Sequence, residues 1–168
     1  MKKFFLIALL PLFLASCGSS KTVHSDATRS LPDKGTTRVS SATAENIVNY
    51  AMTFEGTKYK FGGTSKKGMD CSGLIYTAFN KEKVWLPRIS RDMAREGKSI
   101  PLRQTDVGDL LFFQTNKSSR VINHVGLVVE SLGGAIKFIH STTSRGVIIS
   151  SLDERYWNDA FVEVRRMM

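Results

Sequence analysis

The order of hydrophobic and polar positions predicts helices first and strands afterwards. Apolar residues recur at helical spacing over 44–55, with Thr43 as the N-cap and Gly56 as the terminator. A second helix is predicted from Cys71 to about residue 81, and a short third helix over 90–96. These three segments therefore form the helical part of the predicted domain.

Beyond residue 108 the period of the pattern changes. Short β-branched or aromatic runs, separated by turn residues, occupy 109–114, 124–131, 135–141, 146–151 and 160–166. Helices followed by consecutive strands are typical of an α+β fold. We therefore expect N-terminal helices packed on a mainly antiparallel sheet of five or six strands.

The first sixteen residues predict a targeting segment. Two lysines precede a short apolar run that Pro11 interrupts, which is typical of a secretory signal peptide and too short for a comfortable membrane span. The run ends in LASC, residues 14–17, which resembles a bacterial lipobox. We expect Cys17 to carry diacylglycerol and acyl chains such as palmitate; a plain secretory signal with a chance cysteine is the alternative.

Residues 17–41 predict a lipidated cysteine and flexible tether, because this stretch is polar and contains no aromatic residue. Residues 42–168 are then one domain, as the length of 168 residues allows. The formal net charge of +9 suits contact with an anionic polymer or a membrane surface. Nucleic acid is not expected as a partner, since the sequence contains no basic helix face, stacking motif or zinc-ligand spacing.

Cys71 is either a buried apolar residue or a nucleophile. Its only possible disulfide partner is Cys17, which the lipid would occupy. Asp70 is a good N-cap and places the thiol in the first turn of a helix, where free N–H groups could bind an oxyanion. The same position predicts a thiol pKa below the ordinary value.

The predicted domain contains two histidines, His124 and His140, on consecutive strands. A three-residue loop over 132–134 would pair Ser131 with Ala135 and place both rings on one face of the sheet, whereas a two-residue loop would separate them. The pair is either structural or a catalytic base with its orienting partner. Zinc bound by both histidines and Cys71 is a weaker alternative, because no tight local ligand pair would nucleate the site.

Several motifs together resemble the NlpC-type cell-wall cysteine peptidases, a papain-like family. The matching stretches are YKFGG (59–63), DCSGL (70–74), LPRIS (86–90), VGDLLFF (107–113), HVG (124–126) and IHST (139–142). The resemblance implies a papain-like α+β fold and hydrolysis of peptidoglycan stem peptides, at the bond between γ-D-glutamate and the diamino acid. It implies no cofactor and no metal.

By position, the resemblance implies a role for each matching residue. Cys71 would be the nucleophile, His124 the general base and His140 the residue that orients it. Tyr59 would polarise the scissile carbonyl. The residues expected to hold the substrate are Asp70, which could bind a free N-terminal amine, Ser72 and Ser90.

Two other functions fit the same fold. A papain-like acyltransferase would use a related set of residues in a different order, and here the cysteine precedes both histidines. A non-catalytic wall-binding lipoprotein would not need all three polar residues. The expected location is the bacterial cell envelope, with a monomer anchored by lipid in the outer membrane and facing the periplasm.

Overall fold

The computed structural model describes the backbone of residues 34–168 and the side chains from residue 41 onward. The predicted signal peptide, Cys17 and most of the predicted tether lie outside these residues. Within the described part, no helix is long and apolar enough to cross a membrane.

Four α-helices occur in the described part: α1 (Lys34–Met52), α2 (Cys71–Lys81), α3 (Ser90–Met93) and α4 (Arg155–Ala160). The predicted bounds of α2 are confirmed. Helix α1 begins inside the stretch predicted as tether and contains Gly35, and no further glycine or proline interrupts it before its end at Met52. Thr43 therefore lies within α1, and its predicted role as N-cap is wrong. Helix α3 ends earlier than predicted, and the sequence pattern did not indicate α4.

The helices accompany a six-stranded antiparallel sheet, as expected, and a two-stranded hairpin. The hairpin consists of β1 (Thr64–Ser65) and β2 (Gly68–Met69). The strands of the large sheet are β3 (Lys98–Ile100), β4 (Leu110–Phe113), β5 (His124–Leu132), β6 (Ala135–Thr142), β7 (Gly146–Ser151) and β8 (Phe161–Arg166). Their order across the sheet is β3-β8-β4-β5-β6-β7. Strands β1, β2 and β3 were not predicted.

Alternating side chains of the sheet enter two separate hydrophobic clusters. Ile139 of β6 packs with residues of α1 and α2 in the first cluster. Its neighbour Phe138 lies in the second cluster with Phe113 and Trp157 of α4. The period of two in a strand sends these neighbours to opposite faces, so one face is covered by α1 and α2 and the other by α4.

A partly buried ion pair joins the start of β4 to the end of β8. Asp109 is 2% exposed, and both of its oxygens accept hydrogen bonds of 2.8 Å from the guanidinium of Arg166. The backbone N–H of Asp106 donates to the same carboxylate. The aspartate of the VGD motif is thus a structural residue that closes the turn before β4.

The turn between β5 and β6 corrects the sequence prediction. Leu132 pairs with Ala135, so the loop has two residues, Gly133 and Gly134. The φ angles of these glycines are 60° and 88°. Two consecutive residues at positive φ match the twist of the adjoining strands, and glycine adopts this conformation without steric penalty. The predicted three-residue loop is therefore wrong.

A β-bulge nevertheless restores the predicted register further along the hairpin. The pairing shifts between Val128 and Glu130, so that Val128 pairs with Phe138 and Leu127 with Ile139. Extended by one residue, this register places His140 opposite Gly126, as the sequence predicted for a longer loop. The bulge therefore compensates for the shorter turn.

Candidate active site

Cys71 is the first residue of α2, directly after an N-cap. The Oδ1 atom of Asp70 accepts a hydrogen bond of 2.6 Å from the backbone N–H of Gly73, and Asp70 itself has extended backbone angles. A capping carboxylate of this kind satisfies a free donor of the first turn and defines where the helix begins. The predicted position of the thiol at the head of a helix is confirmed.

The carboxylate of Asp70 is also fixed from three other directions. Its Oδ2 atom accepts hydrogen bonds from the backbone N–H of Gly62 at 2.7 Å and from the guanidinium of Arg88 at 2.9 Å. The Ser72 hydroxyl lies 3.4 Å from Oδ1 and accepts a hydrogen bond of 2.9 Å from Arg88. These contacts give Asp70 and Ser72 a structural role; their predicted contacts with substrate stay predictions.

Close packing holds the loop that contains Gly62 and Gly63 against the start of α2. A β-carbon on Gly73 would run into the carbonyl oxygen of Gly63. The loop and helix therefore approach more closely than any residue with a side chain would allow at position 73. This contact explains why glycine follows Cys71 and Ser72.

A hydrogen bond ties the segment before the nucleophile to the large sheet. The hydroxyl of Ser141 on β6 is 1% exposed and donates to the carbonyl oxygen of Met69 at 2.8 Å. Met69 lies two residues before Cys71, and Ser141 directly follows His140. The bond therefore helps to fix the position of the thiol relative to the strand that carries the histidine.

The two histidines form a direct hydrogen bond. The Nε2 atom of His124 lies 2.9 Å from Nδ1 of His140, and the ring planes are nearly perpendicular. The indole ring of Trp157 stacks on His124 and presents an edge contact to His140. The prediction that both rings lie on one face of the sheet is confirmed, and Trp157 shields them from solvent.

A buried serine extends this pair. The Oγ atom of Ser150 on β7 lies 3.0 Å from Nε2 of His140. His140 is fully buried, and Ser150 is 3% exposed. Both nitrogens of the His140 ring therefore have partners, and the polar groups form a continuous series from His124 to Ser150.

Burial keeps both imidazoles neutral at physiological pH. Desolvation lowers the pKa of His124 to about 4. Desolvation, together with the nearby His124 and Arg145, also holds the pKa of His140 well below its ordinary value. An uncharged His124 is the form that can accept a proton.

The predicted lowering of the Cys71 thiol pKa is wrong. Burial raises the pKa of the thiol, and the charge of Asp70 adds to the increase. The backbone N–H groups of Val125, Ser72 and Cys71 itself act in the opposite direction but do not outweigh burial. The resting site therefore contains a neutral thiol and a neutral imidazole rather than a thiolate–imidazolium pair.

Cys71 and His124 open into one cleft with a volume of about 450 Å³. Tyr59 lines the same cleft, as predicted. Partial burial, followed by the negative charges of Cys71 in its ionised form and of Asp70, raises the pKa of the Tyr59 phenol. The phenol thus keeps its proton and can donate a hydrogen bond. Further residues of the lining are Thr115, Asn123, Ser141, Thr142, Thr143, Ser144, Arg145, Glu154, Tyr156 and Trp157.

The other predicted site residues lie outside this lining. Asp70 and Ser72 stabilise the start of α2 through their hydrogen bonds with Gly73 and Arg88. Ser90 is 7% exposed and is the first residue of α3. His140 is buried behind His124, as an orienting residue requires. Within the described residues, no group of three potential ligands is arranged to hold a metal ion, so the zinc alternative gains no support.

Two residues that complete the site were not predicted, namely Ser150 and Trp157. Ser150 is one of two consecutive serines at the end of β7, and the sequence pattern does not distinguish it from Ser151. Trp157 lies on the short helix α4, which the sequence pattern did not indicate. The roles of both residues depend on tertiary contacts with the histidines, which the local sequence pattern does not contain.

Residues 56–166 match a protein-family model that is described as "NlpC/P60 family". Among curated relatives, "Murein DD-endopeptidase MepS/Murein LD-carboxypeptidase" of Escherichia coli K12 is 36% identical, over 73% of this chain and 62% of that protein. "Gamma-D-glutamyl-L-lysine dipeptidyl-peptidase" of Bacillus subtilis is 38% identical, over 74% of this chain and 41% of that protein. The chain thus matches only part of the length of these two relatives.

The fold also matches a solved structure. The crystal structure of an NlpC/P60 family protein from Bacillus cereus superposes with a TM-score of 0.67 and 29% sequence identity. The match covers 74% of this chain and 40% of that one. The α+β architecture expected from the sequence is therefore confirmed.

Proposed function

This chain belongs to the NlpC/P60 family, and we propose that it hydrolyses the stem peptides of bacterial peptidoglycan with Cys71 as the nucleophile. The observation that carries the proposal is the arrangement at one cleft. A thiol at the head of α2 and the outer member of a buried histidine pair line the same opening. The two relatives that are named as murein or γ-D-glutamyl peptidases support the substrate class.

The geometry assigns a separate task to each nitrogen of His124. Its Nε2 atom is engaged with His140, so Nδ1 is free to take the thiol proton as Cys71 attacks the scissile carbonyl. The sulfur forms a bond to the carbonyl carbon while the π electrons move to oxygen. Backbone N–H groups at the start of α2 and the Tyr59 hydroxyl stabilise the resulting oxyanion.

The intermediate then collapses in two stages. The C–N bond breaks as the imidazolium of His124 returns its proton to the leaving amine, which gives a thioester on Cys71. Water, deprotonated by His124, adds to the thioester and releases the carboxylate product and the thiol. His140 holds the ring of His124 in orientation throughout and does not contact the substrate.

The cleft suits a peptide that carries carboxylates. Its lining is mostly polar and includes the exposed guanidinium of Arg145. The acidic residue of the lining, Glu154, accepts a hydrogen bond of 2.9 Å from the backbone N–H of Ser151. We place cleavage at the bond between γ-D-glutamate and the diamino acid, as in the name of the Bacillus subtilis relative. The cross-link between stem peptides is the second candidate bond, which the name of the Escherichia coli relative favours.

Digestion of defined muropeptides distinguishes these two bonds. Purified monomeric and cross-linked muropeptides are incubated with the protein, and the products are identified by mass. We expect fragments that end in γ-D-glutamate from both substrates. Conversion of cross-linked dimers into intact monomers would instead assign the activity to the cross-link. Transfer of the acyl group to an added amine without hydrolysis would favour the acyltransferase, and no product from either substrate would favour a wall-binding role.

We further propose that the protein is a monomeric lipoprotein of the cell envelope, anchored through Cys17 in the outer membrane and facing the periplasm. The signal-like segment and the LASC sequence support this location. Replacing Cys17 by serine is expected to move the protein from the membrane fraction to the soluble fraction. Mass analysis of the N-terminal peptide should show acyl chains in the wild type alone. An unmodified wild-type Cys17 would contradict the anchor.

A further inference from the structure

Ser150 is a buried polar residue that the mechanism above does not use. It lies on β7, where it pairs with Phe138, diagonally across from His140 on the same face of the sheet. The structure gives its hydroxyl one hydrogen-bond partner, Nε2 of His140 at 3.0 Å. The residue is too deep to contact a peptide in the cleft.

We propose that Ser150 is a positioning residue that supports the catalytically competent tautomers of His124 and His140, because its hydroxyl supplies a buried acceptor for a proton on Nε2 of His140. The inference rests on the proposed function, because competence is defined by the reaction. In the competent state, Ser150 extends the histidine pair into a directed chain of hydrogen bonds, in which His124 donates to His140 and His140 donates to Ser150.

The direction of this chain determines whether a base is available. His124 can take the thiol proton at Nδ1 only when its own proton is on Nε2, which then donates to Nδ1 of His140. His140 must in turn carry its proton on Nε2, where the Ser150 oxygen accepts it. In the opposite direction both protons lie on Nδ1, and the Ser150 hydroxyl donates to Nε2 of His140. His124 then presents an N–H group to the cleft instead of a lone pair.

Removal of the hydroxyl favours the opposite direction. With alanine at position 150, a proton on Nε2 of His140 would be buried without an acceptor, which is unfavourable. Moving that proton to Nδ1 removes the orphaned donor but also reverses the bond to His124. The population of competent enzyme therefore falls, although the substrate contacts and the cleft stay unchanged.

Kinetics of three variants test this inference. Ser150→Ala is expected to lower kcat about 10- to 100-fold, with KM within about twofold of the wild-type value, since the shift acts before chemistry and not on binding. Ser150→Thr retains an acceptor and is expected to recover most of kcat. Ser151→Ala is the matched control, because its half-buried side chain contacts Asp153 and not a histidine. Unchanged kcat in Ser150→Ala, or a change confined to KM, would overturn the proposal.

Nitrogen NMR of the full-length protein, labelled with ¹⁵N-histidine, provides a readout that does not require activity. We expect His124 and His140 to be protonated on Nε2 in the wild type, and His140 to shift toward Nδ1 protonation in Ser150→Ala. A His24→Gln variant assigns the third histidine signal. Protonation of His140 on Nδ1 in the wild type would overturn the role of Ser150 even if the variants do not fold. Failure of the muropeptide digestion, by contrast, would leave this spectrum unaffected and would count against the proposed function.

Discussion

Replacing Cys71 by alanine is expected to lower kcat for stem-peptide hydrolysis by at least about 10⁴-fold. No other described cysteine exists to replace the thiol, and His124 alone has no nucleophile beside it to activate. The helix start does not depend on the sulfur, because Asp70 caps α2 through the backbone of Gly73. The variant should therefore keep its circular dichroism spectrum and thermal midpoint within a few degrees of the wild type.

Cys17→Ser is the matched cysteine control for this experiment. It removes the other thiol of the chain, outside the described domain, and is expected to retain full activity on soluble muropeptides. Rates are compared by quantifying released fragments by mass over several hours. A folded Cys71→Ala protein that retains more than about one hundredth of the wild-type rate would be incompatible with thiol catalysis.

Acidification is expected to destabilise the fold before most carboxylates titrate. His124 and His140 are buried and neutral, whereas in the unfolded chain each titrates near its ordinary value of about 6.5. The folded-state pKa of His124 is lowered to about 4. Between these two values the unfolded state binds more protons, so the free energy of unfolding falls as the pH decreases.

The expected loss from His124 is about 2 kcal/mol by pH 5 and about 3 kcal/mol in total as the pH falls through 4. His140 acts in the same direction because its pKa is lowered as well. Urea denaturation at pH 7, 6 and 5 measures the effect in a range where ordinary Asp and Glu side chains stay ionised. In a His124→Gln/His140→Gln double variant, this slope should largely disappear. A wild-type stability that does not change between pH 7 and pH 5 would contradict the buried neutral pair.

The predictable part of the fold coincides with strong local signals. The capping aspartate and the apolar period of residues 71–81 define α2 without help from other elements. The strands β4 to β8 follow long β-branched and aromatic runs. In contrast, β3 has three residues at the sheet edge, and α4 has six residues of which Trp157 and Ala160 are buried. Such short elements are stabilised by tertiary packing, which the local pattern does not contain.

The candidate active site was likewise predictable only in part. Cys71 and the histidines are rare residue types, so the sequence indicated them directly, and their proximity followed from strand register. The thiol pKa could not be predicted from the helix start alone, because burial acts against the N–H groups and outweighs them. Likewise, the N-cap identified Asp70 but not its ion pair with Arg88, which joins two segments far apart in the chain.

The bulge at Val129 divides the β5–β6 hairpin into two parts whose registers differ by one residue. Outside it lie the exposed Leu132 and the glycine turn, whereas inside it lie the paired residues that lead to the two histidines. Because the bulge absorbs a one-residue offset, the length of the tip is uncoupled from the alignment of the reactive rings. An insertion near Gly133 would lengthen only the exposed tip. Deletion of Val129 would leave Glu130 opposite Lys137 and Val128 opposite Phe138, so neither change would displace the two histidines.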